Sequence, residues 1–175
     1  YREVNKNSGR VYLSKLSLKK DSTVEDGFGS IDLNQAFAAS YDLHTNSGEI
    51  TIDGAKGKLT ANTEFGGIEI SNAKSVTLDI RTNSGNVTFD GSLGAGPHIV
   101  RSEFGAVDLI LPADIQLNVD LSTEFGRIRS DLPIAVMVTE TSDSNADQII
   151  GSINSGGDQL TVETNNGSVT IHTSK

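Results

Sequence analysis

The feature that most constrains this chain is a short peptide that keeps returning. TNSGEITIDG at 45–54 recurs as TNSGNVTFDG at 82–91 and, in degenerate form, as TNNGSVTIHT at 164–173. A second version reads TEFGGIEI at 63–70, SEFGAVDL at 102–109 and TEFGRIRS at 123–130, with a partial relative in DGFGSIDL at 26–33. Self-similarity at a fixed interval of a few tens of residues marks architectures that stack one supersecondary unit on copies of itself. The central glycines Gly29, Gly48, Gly66, Gly85, Gly105 and Gly126 follow one another at steps of 19, 18, 19, 20 and 21, and Gly167 comes 41 residues later, about two periods. Gly151 and Ile153, in that gap, are read as parts of a distorted coil carrying a loop at 139–148.

Each unit has the same grammar. An alternating apolar strand, such as Val76-x-Leu78-x-Ile80 or Leu117-x-Val119-x-Leu121, leads into a four-residue corner of Thr or Ser, then Asn or Glu, then Ser, Phe or Asn, then Gly. A second alternating strand leaves it, as in Ile50-x-Ile52 or Val107-x-Leu109, and Gly54, Asn72 or Gly91 turns the chain back. Alternation of period two gives each strand one buried face. Hairpins or a sandwich would alternate too, but would not need the same corner chemistry once per unit. The fold expected is therefore all-β, a parallel β-solenoid or β-helix-like repeat with coils of about 19–20 residues, in a single domain over 1–175. Residues 1–25 are expected to supply an N-terminal cap. The corner glycines are read as supplying the positive φ of a sharp bend. Because the two corner types alternate, a coil of about 38 residues with four strands is the alternative pitch. The shorter one is favoured, since EFG corners at 103–105 and 124–126 are successive in the chain. Handedness is left open.

Charge narrows the partners. The chain carries −9 at neutral pH, with 14 Lys and Arg, and its only basic run is Lys19-Lys20. Phosphate-backbone binding depends on clustered cations, so nucleic acid is excluded as a partner, and docking on anionic lipid is disfavoured. With no cysteine there is no disulfide framework, thiolate metal site or thiol nucleophile. No apolar run approaches the ~20 residues of a membrane span. The chain starts at Tyr1 rather than Met, from which a trimmed signal or anchor is expected.

The corner residues are the candidates for function, and most have a structural reading. Thr45, Thr63, Thr82, Ser102, Thr123 and Thr164 form a hydroxyl column expected to satisfy backbone groups at the bend, with no base to make any of them a nucleophile. Asn46, Asn83 and Asn165 suggest an interrupted amide ladder. Phe28, Phe65, Phe104 and Phe125 replace Ser47 and Ser84 in alternate units and are expected to fill the end of the core, exposed stacking on a carbohydrate being the alternative. Glu64, Glu103 and Glu124 precede three of these phenylalanines. If Glu103 and Glu124 lie on adjacent coils, their carboxylates sit about 5 Å apart, which requires solvation or a bridging cation. Solvation is favoured, because a hard cation needs six or more oxygen ligands and no Asp-rich loop is present. His44, His98 and His172 stand in unrelated contexts without partners at ligand spacing. No nucleophile elbow or phosphate-binding loop is recognisable. No catalytic residue, metal or cofactor is therefore assigned.

The recurring T-x-S-G-x-I-x-I units, the SDLPI segment at 130–134 and GSINSGGDQLTVETNNGSVTI at 151–171 resemble a bacterial β-strand repeat family of unknown function that carries an adhesin label, close in style to the head-GIN autotransporter adhesins. The resemblance covers roughly 26–173. It implies an extracytoplasmic repeat domain attached to an envelope system, and brings no catalytic residues with it.

The expected function is thus a non-catalytic envelope or cell-surface module, an adhesin or scaffold whose partner is a surface protein or glycan. A polysaccharide-binding or polysaccharide-cleaving β-helix is the alternative, on fold analogy alone. A sensor or scaffold that binds a membrane-protein partner through an exposed coil end is a third reading, and an uncapped end would favour homo-oligomers.

Overall fold

The computed structural model describes residues 2–15, 21–35, 38–141 and 147–174, and these contain strands and no helix. The leading strands of the repeat are β1 (Arg2–Ser8), β3 (Ser22–Phe28), β5 (Ser40–Ser47), β7 (Gly57–Phe65), the second part of the long β8 (Ile68–Ser84), β10 (His98–Phe104), β12 (Leu117–Phe125) and β16 (Asp158–Asn166). The strands that leave the corner are β2 (Val11–Ser14), β4 (Ile31–Asn34), β6 (Ile50–Asp53), the first part of β8, β9 (Val87–Leu93), β11 (Val107–Leu111), β13 (Ile128–Ser130) and β17 (Val169–Thr173). The two remaining strands, β14 (Ile134–Thr141) and β15 (Asp147–Ile153), pair with each other antiparallel.

Leading strands pair parallel with leading strands, and leaving strands with leaving strands. Thr45 lies beside Thr63 and Thr63 beside Thr82, while Ile50 lies beside Ile68 and Ile68 beside Val87. One coil therefore has two strands and one corner, and the shorter pitch is the one adopted. The core lies between the two sheets. Leu43, Leu59, Leu78, Ile80, Val100 and Val162 point into it from one side, and Ile50, Ile68, Phe89, Leu109 and Ile171 from the other, all essentially without exposure. Alternation puts polar residues on the outer faces of the same strands.

The stacking order is not the chain order. β10 pairs with β8 on one side and with β16 on the other, and β12 pairs with the opposite edge of β16. The leaving strands repeat this, with β17 held between β11 and β13. The chain thus leaves a vacant level after β11 and builds β12 and β13 beyond it. It then makes the β14–β15 hairpin and returns to fill the vacancy with its last coil. β15 lies antiparallel against the far edge of β12, Leu117 opposite Ile153, so Gly151 and Ile153 belong to this closing hairpin rather than to a distorted coil. A distorted coil would have continued the parallel ladder; the antiparallel hairpin instead covers the end strand, which would otherwise present unpaired backbone. Of the segment 139–148, residues 142–146 lie outside the described residues and the flanks belong to β14 and β15. At the other end, β1 and β2 are in register with β3 and β4 and form the first coil.

Candidate functional site

The corners stack into one straight edge, and their backbone explains the repeat. A Cβ added to Gly48 would lie 2.2 Å from the Gly29 carbonyl oxygen, one on Gly66 2.0 Å from that of Gly48, and one on Gly85 2.1 Å from that of Gly66. The series continues through Gly105 against Gly85, Gly167 against Gly105 and Gly126 against Gly167. Glycine is required because the neighbouring coil occupies the space a side chain needs. A bend in the chain alone would not exclude alanine so completely.

The hydroxyl column works on the same carbonyls. Thr45 Oγ1 donates to Gly29 O at 2.9 Å, Thr63 to Gly48 O at 3.2 Å, Thr82 to Gly66 O at 3.0 Å and Ser102 Oγ to Gly85 O at 3.1 Å. Thr164 donates to Gly105 O at 2.9 Å and Thr123 to Gly167 O at 2.7 Å. All six hydroxyl residues are buried. Each thus supplies the donor that a glycine carbonyl at a buried bend would otherwise lack, the structural role expected of the column. In the second coil Asp26 takes this position. Its Oδ1 accepts from the Phe28 N–H at 3.3 Å, whereas its buried Oδ2 has no hydrogen-bond partner.

Phe28, Phe65, Phe104 and Phe125 do not fill the end of the core. They are 63, 60, 55 and 57 % exposed. The Thr before the pair points inward and the glycine after it is enclosed, so the Phe position is the one that projects from the edge. Pairing gives the order along the edge: Ser8 beside Phe28, Phe28 beside Ser47, Ser47 beside Phe65, Phe65 beside Ser84 and Ser84 beside Phe104. Asn166 then lies between Phe104 and Phe125. In the chain two EFG corners are consecutive; in space they are separated by the returning coil, and large and small residues alternate along the whole edge. The large ones recur every second strand, about 9.6 Å apart.

The preceding position alternates as well. Asn46, Glu64, Asn83, Glu103, Asn165 and Glu124 follow in spatial order, so every carboxylate has an amide for its neighbour. This corrects the pairing of Glu103 with Glu124: the Asn165 level lies between them, their separation is about two strand spacings, and no close carboxylate pair needs a cation. Among the described residues no group of three or more His, Asp or Glu could hold a metal ion. The amide ladder is interrupted, as expected, with a glutamate between each asparagine and the next.

Beside this edge, on the outer face of the leading strands, lies an open groove of about 450 Å³ whose lining includes Asn62, Glu64, Arg81, Asn83, Arg101 and Glu103. Both guanidinium groups are already engaged. Arg101 Nε donates to Glu163 Oε2 at 2.6 Å, and the carboxylate holds the guanidinium pKa above its ordinary value; Arg81 Nε donates to Asp79 Oδ1 at 3.2 Å. The Arg101–Glu163 pair ties the returning coil to its neighbour across 62 residues of sequence.

The histidines do not converge. His44 Nε2 is 3.1 Å from Asn46 Oδ1, and His172 Nδ1 is 3.0 Å from Asp131 Oδ2, a carboxylate brought to it by the fold. His98 is fully buried in the core. Its Nδ1 accepts from the Leu78 N–H at 3.3 Å and its Nε2 lies 3.2 Å from Gly94 O, an arrangement that suits the neutral Nε2–H tautomer. Desolvation pushes its pKa below the ordinary value.

Stacked corners, parallel ladders and a single elongated core define a β-solenoid repeat domain with an edge of alternating large and small residues. The chain belongs to the Toastrack family, DUF4097, which matches residues 3–172. No curated protein and no solved structure matches the chain.

Proposed function

We propose that this domain is a non-catalytic scaffold of the cell envelope or cell surface, an adhesin-like module that presents its corner edge to another macromolecule. The observation that carries the reading is the row of four phenylalanines, each more than half exposed, at regular intervals along one rigid edge. A scattered exposed apolar residue is ordinary; an ordered row of aromatic rings beside a polar groove is the composition of a binding surface. The stiffness of stacked coils fixes the spacing of that row, which suits recognition of an extended partner. The family resemblance supports placement outside the cytoplasm. A polysaccharide partner is the second reading, favoured by the amide and carboxylate groups of Asn62, Asn83, Glu64 and Glu103 in the groove beside the rings.

Immobilised wild-type chain and the double variant F65S/F104S, offered to panels of envelope proteins and glycans, test the reading. Saturable binding by the wild type that the variant loses is the expected outcome. Turnover of any polysaccharide, or binding indifferent to the two rings, would overturn it.

A further inference from the structure

We infer that the corner edge is a self-complementary comb, and that its partner is a second copy of this chain, docked antiparallel with its rings interleaved. This rests on the scaffold reading of the same edge and names the partner.

The gaps, more than the rings, carry the inference. A phenylalanine on every coil would give rings about 4.8 Å apart, close enough to cover one another. Occupying every second coil instead leaves openings of about 9.6 Å. A ring entering such an opening midway lies about 4.8 Å from each neighbour, within the ~4.5–7 Å range of favourable aromatic pairs. The openings fall at Ser8, Ser47 and Ser84, whose side chains extend one atom beyond Cβ, and at Asn166, whose side chain is shorter than the rings on either side. An edge with teeth and openings of equal pitch is matched by its own copy, whatever the local twist does to the pitch of both.

Symmetry selects the antiparallel arrangement. A two-fold axis along the solenoid places identical corners opposite one another, ring against ring. A two-fold axis perpendicular to the edge, midway between Phe65 and Ser84, reverses the order. Phe65 then faces Ser84 of the second copy, Phe104 faces Ser47, Phe125 faces Ser8 and Phe28 faces Asn166. The full length of the comb is used, with no tooth left over. The charged column obeys the same rule: Glu64 comes opposite Asn83 and Glu103 opposite Asn46, so no carboxylate meets another head-on although each chain carries −9. This register exists only because the returning coil puts Asn166 between Phe104 and Phe125. Four rings more than half exposed leave on the order of 400–500 Å² per copy, so roughly 900 Å² across both before the flanking polar residues are added, near the ~1,000 Å² lower bound for a specific interface. A reversible dimer follows.

The absence of cysteine from the sequence allows a clean test. Sedimentation of the 175-residue chain across the micromolar range should show a monomer–dimer equilibrium, weakened roughly tenfold or more per ring in F65S/F104S. S47F/S84F separates interleaving from general stickiness: filling the openings should abolish the dimer, whereas a sticky edge would associate more strongly. Circular dichroism and melting of each variant report that the fold is retained. With a bis-maleimide of about 10 Å reach, S84C should cross-link to itself, because the two thiols are offset by about one strand spacing along the edge and are separated across it only by the interleaved rings, too far for a direct disulfide. S8C should not, its copies being seven spacings, roughly 34 Å, apart. A monomeric wild type, stronger association of S47F/S84F, or equal cross-linking of S8C and S84C would each overturn the proposal. A monomer that still binds an envelope partner through Phe65 and Phe104 would leave the scaffold reading standing and remove self-pairing. A dimer indifferent to every panel member would do the reverse.

Discussion

The first coils and the last ones use the same corner chemistry and the same core, yet differ in how the chain reaches them. From β1 to β11 each coil rests on the one just before it in sequence. Beyond β11 the order is broken, and the last coil is wedged between two that were made earlier. An N-terminal coil can be added to its neighbour locally, as in a one-dimensional stack. The C-terminal part closes only when residues about 60 positions apart meet, so the loop entropy of its pairing is larger and its stability is shared among three coils. The last coil is the keystone of the far end rather than its terminus.

Deletion gives the largest contrast. Removing 158–175 takes away Leu160, Val162, Val169 and Ile171, all fully buried, and opens strand edges on both sides of the gap. At ~1.5–3 kcal/mol per buried aliphatic side chain the loss exceeds what the C-terminal coils can bear, and they should exchange amide hydrogens freely while β3–β8 stay protected. Deleting 1–20 removes a coil with one neighbour and should leave the rest folded with a modest drop in melting temperature. Equal effects from the two deletions would break the comparison.

The glycine column sharpens it. G66A in the sequential part and G167A in the returning coil should each cost about 3 kcal/mol in chemical denaturation, because the new Cβ would lie 2.0 Å from the Gly48 or Gly105 carbonyl oxygen. A smaller penalty for G167A would mean that the inserted coil is held less tightly than its neighbours.

Thr82→Val and Thr164→Val should each lose about 1–2 kcal/mol by leaving a glycine carbonyl without its hydroxyl donor. Asp26→Thr should instead gain about 1 kcal/mol. Asp26 Oδ2 lies 2.8 Å from the point that a Gly29 Cβ would occupy, beside the Gly9 carbonyl oxygen, where Thr123 Oγ1 stands relative to Gly126 and Gly167 O. A threonine there would donate where the carboxylate oxygen has no partner.

The smallest effect is the pH response of the junction, where His98 lies beside Leu160 of the returning coil. Burial lowers the imidazole pKa below 6.5 in the fold, so the folded chain holds this ring neutral while the unfolded chain takes up a proton first. Stability is full above that value and declines as pH falls from about 6.5 toward the folded-state pKa, by less than ~1.4 kcal/mol per pH unit. The difference in denaturant midpoint between the wild type and H98L should be constant above about pH 6.5 and shift against the wild type only as the pH falls below it.

Much of the fold was legible because the repeat is written in residue types that have one use here. Gly at each corner, Thr or Ser three before most of them and alternation on both sides specified two strands to each corner, while the coil of one corner was only favoured over the coil of two. The candidate site was legible only as a set of residues. The phenylalanines looked like core because large apolar side chains next to buried positions usually are; the enclosed glycine after them and the inward hydroxyl before them turned them outward instead. Glu103 and Glu124 looked adjacent because the chain makes their coils in succession.

Sequence by itself determined the repeat of about 19 residues, its corner and its two inward faces, and left open whether one repeat or two make a coil; the pairing of Thr45 with Thr63 and of Thr63 with Thr82 settled that. Tertiary structure alone decided the order of the units. Every leading strand offers the same backbone ladder and similar inward side chains to its neighbour, so local pairing energies scarcely distinguish one adjacency from another. The choice fell to contacts between distant segments, the Arg101–Glu163 pair, the return of β16 between β10 and β12, and the closing hairpin, and with that order came the alternating edge.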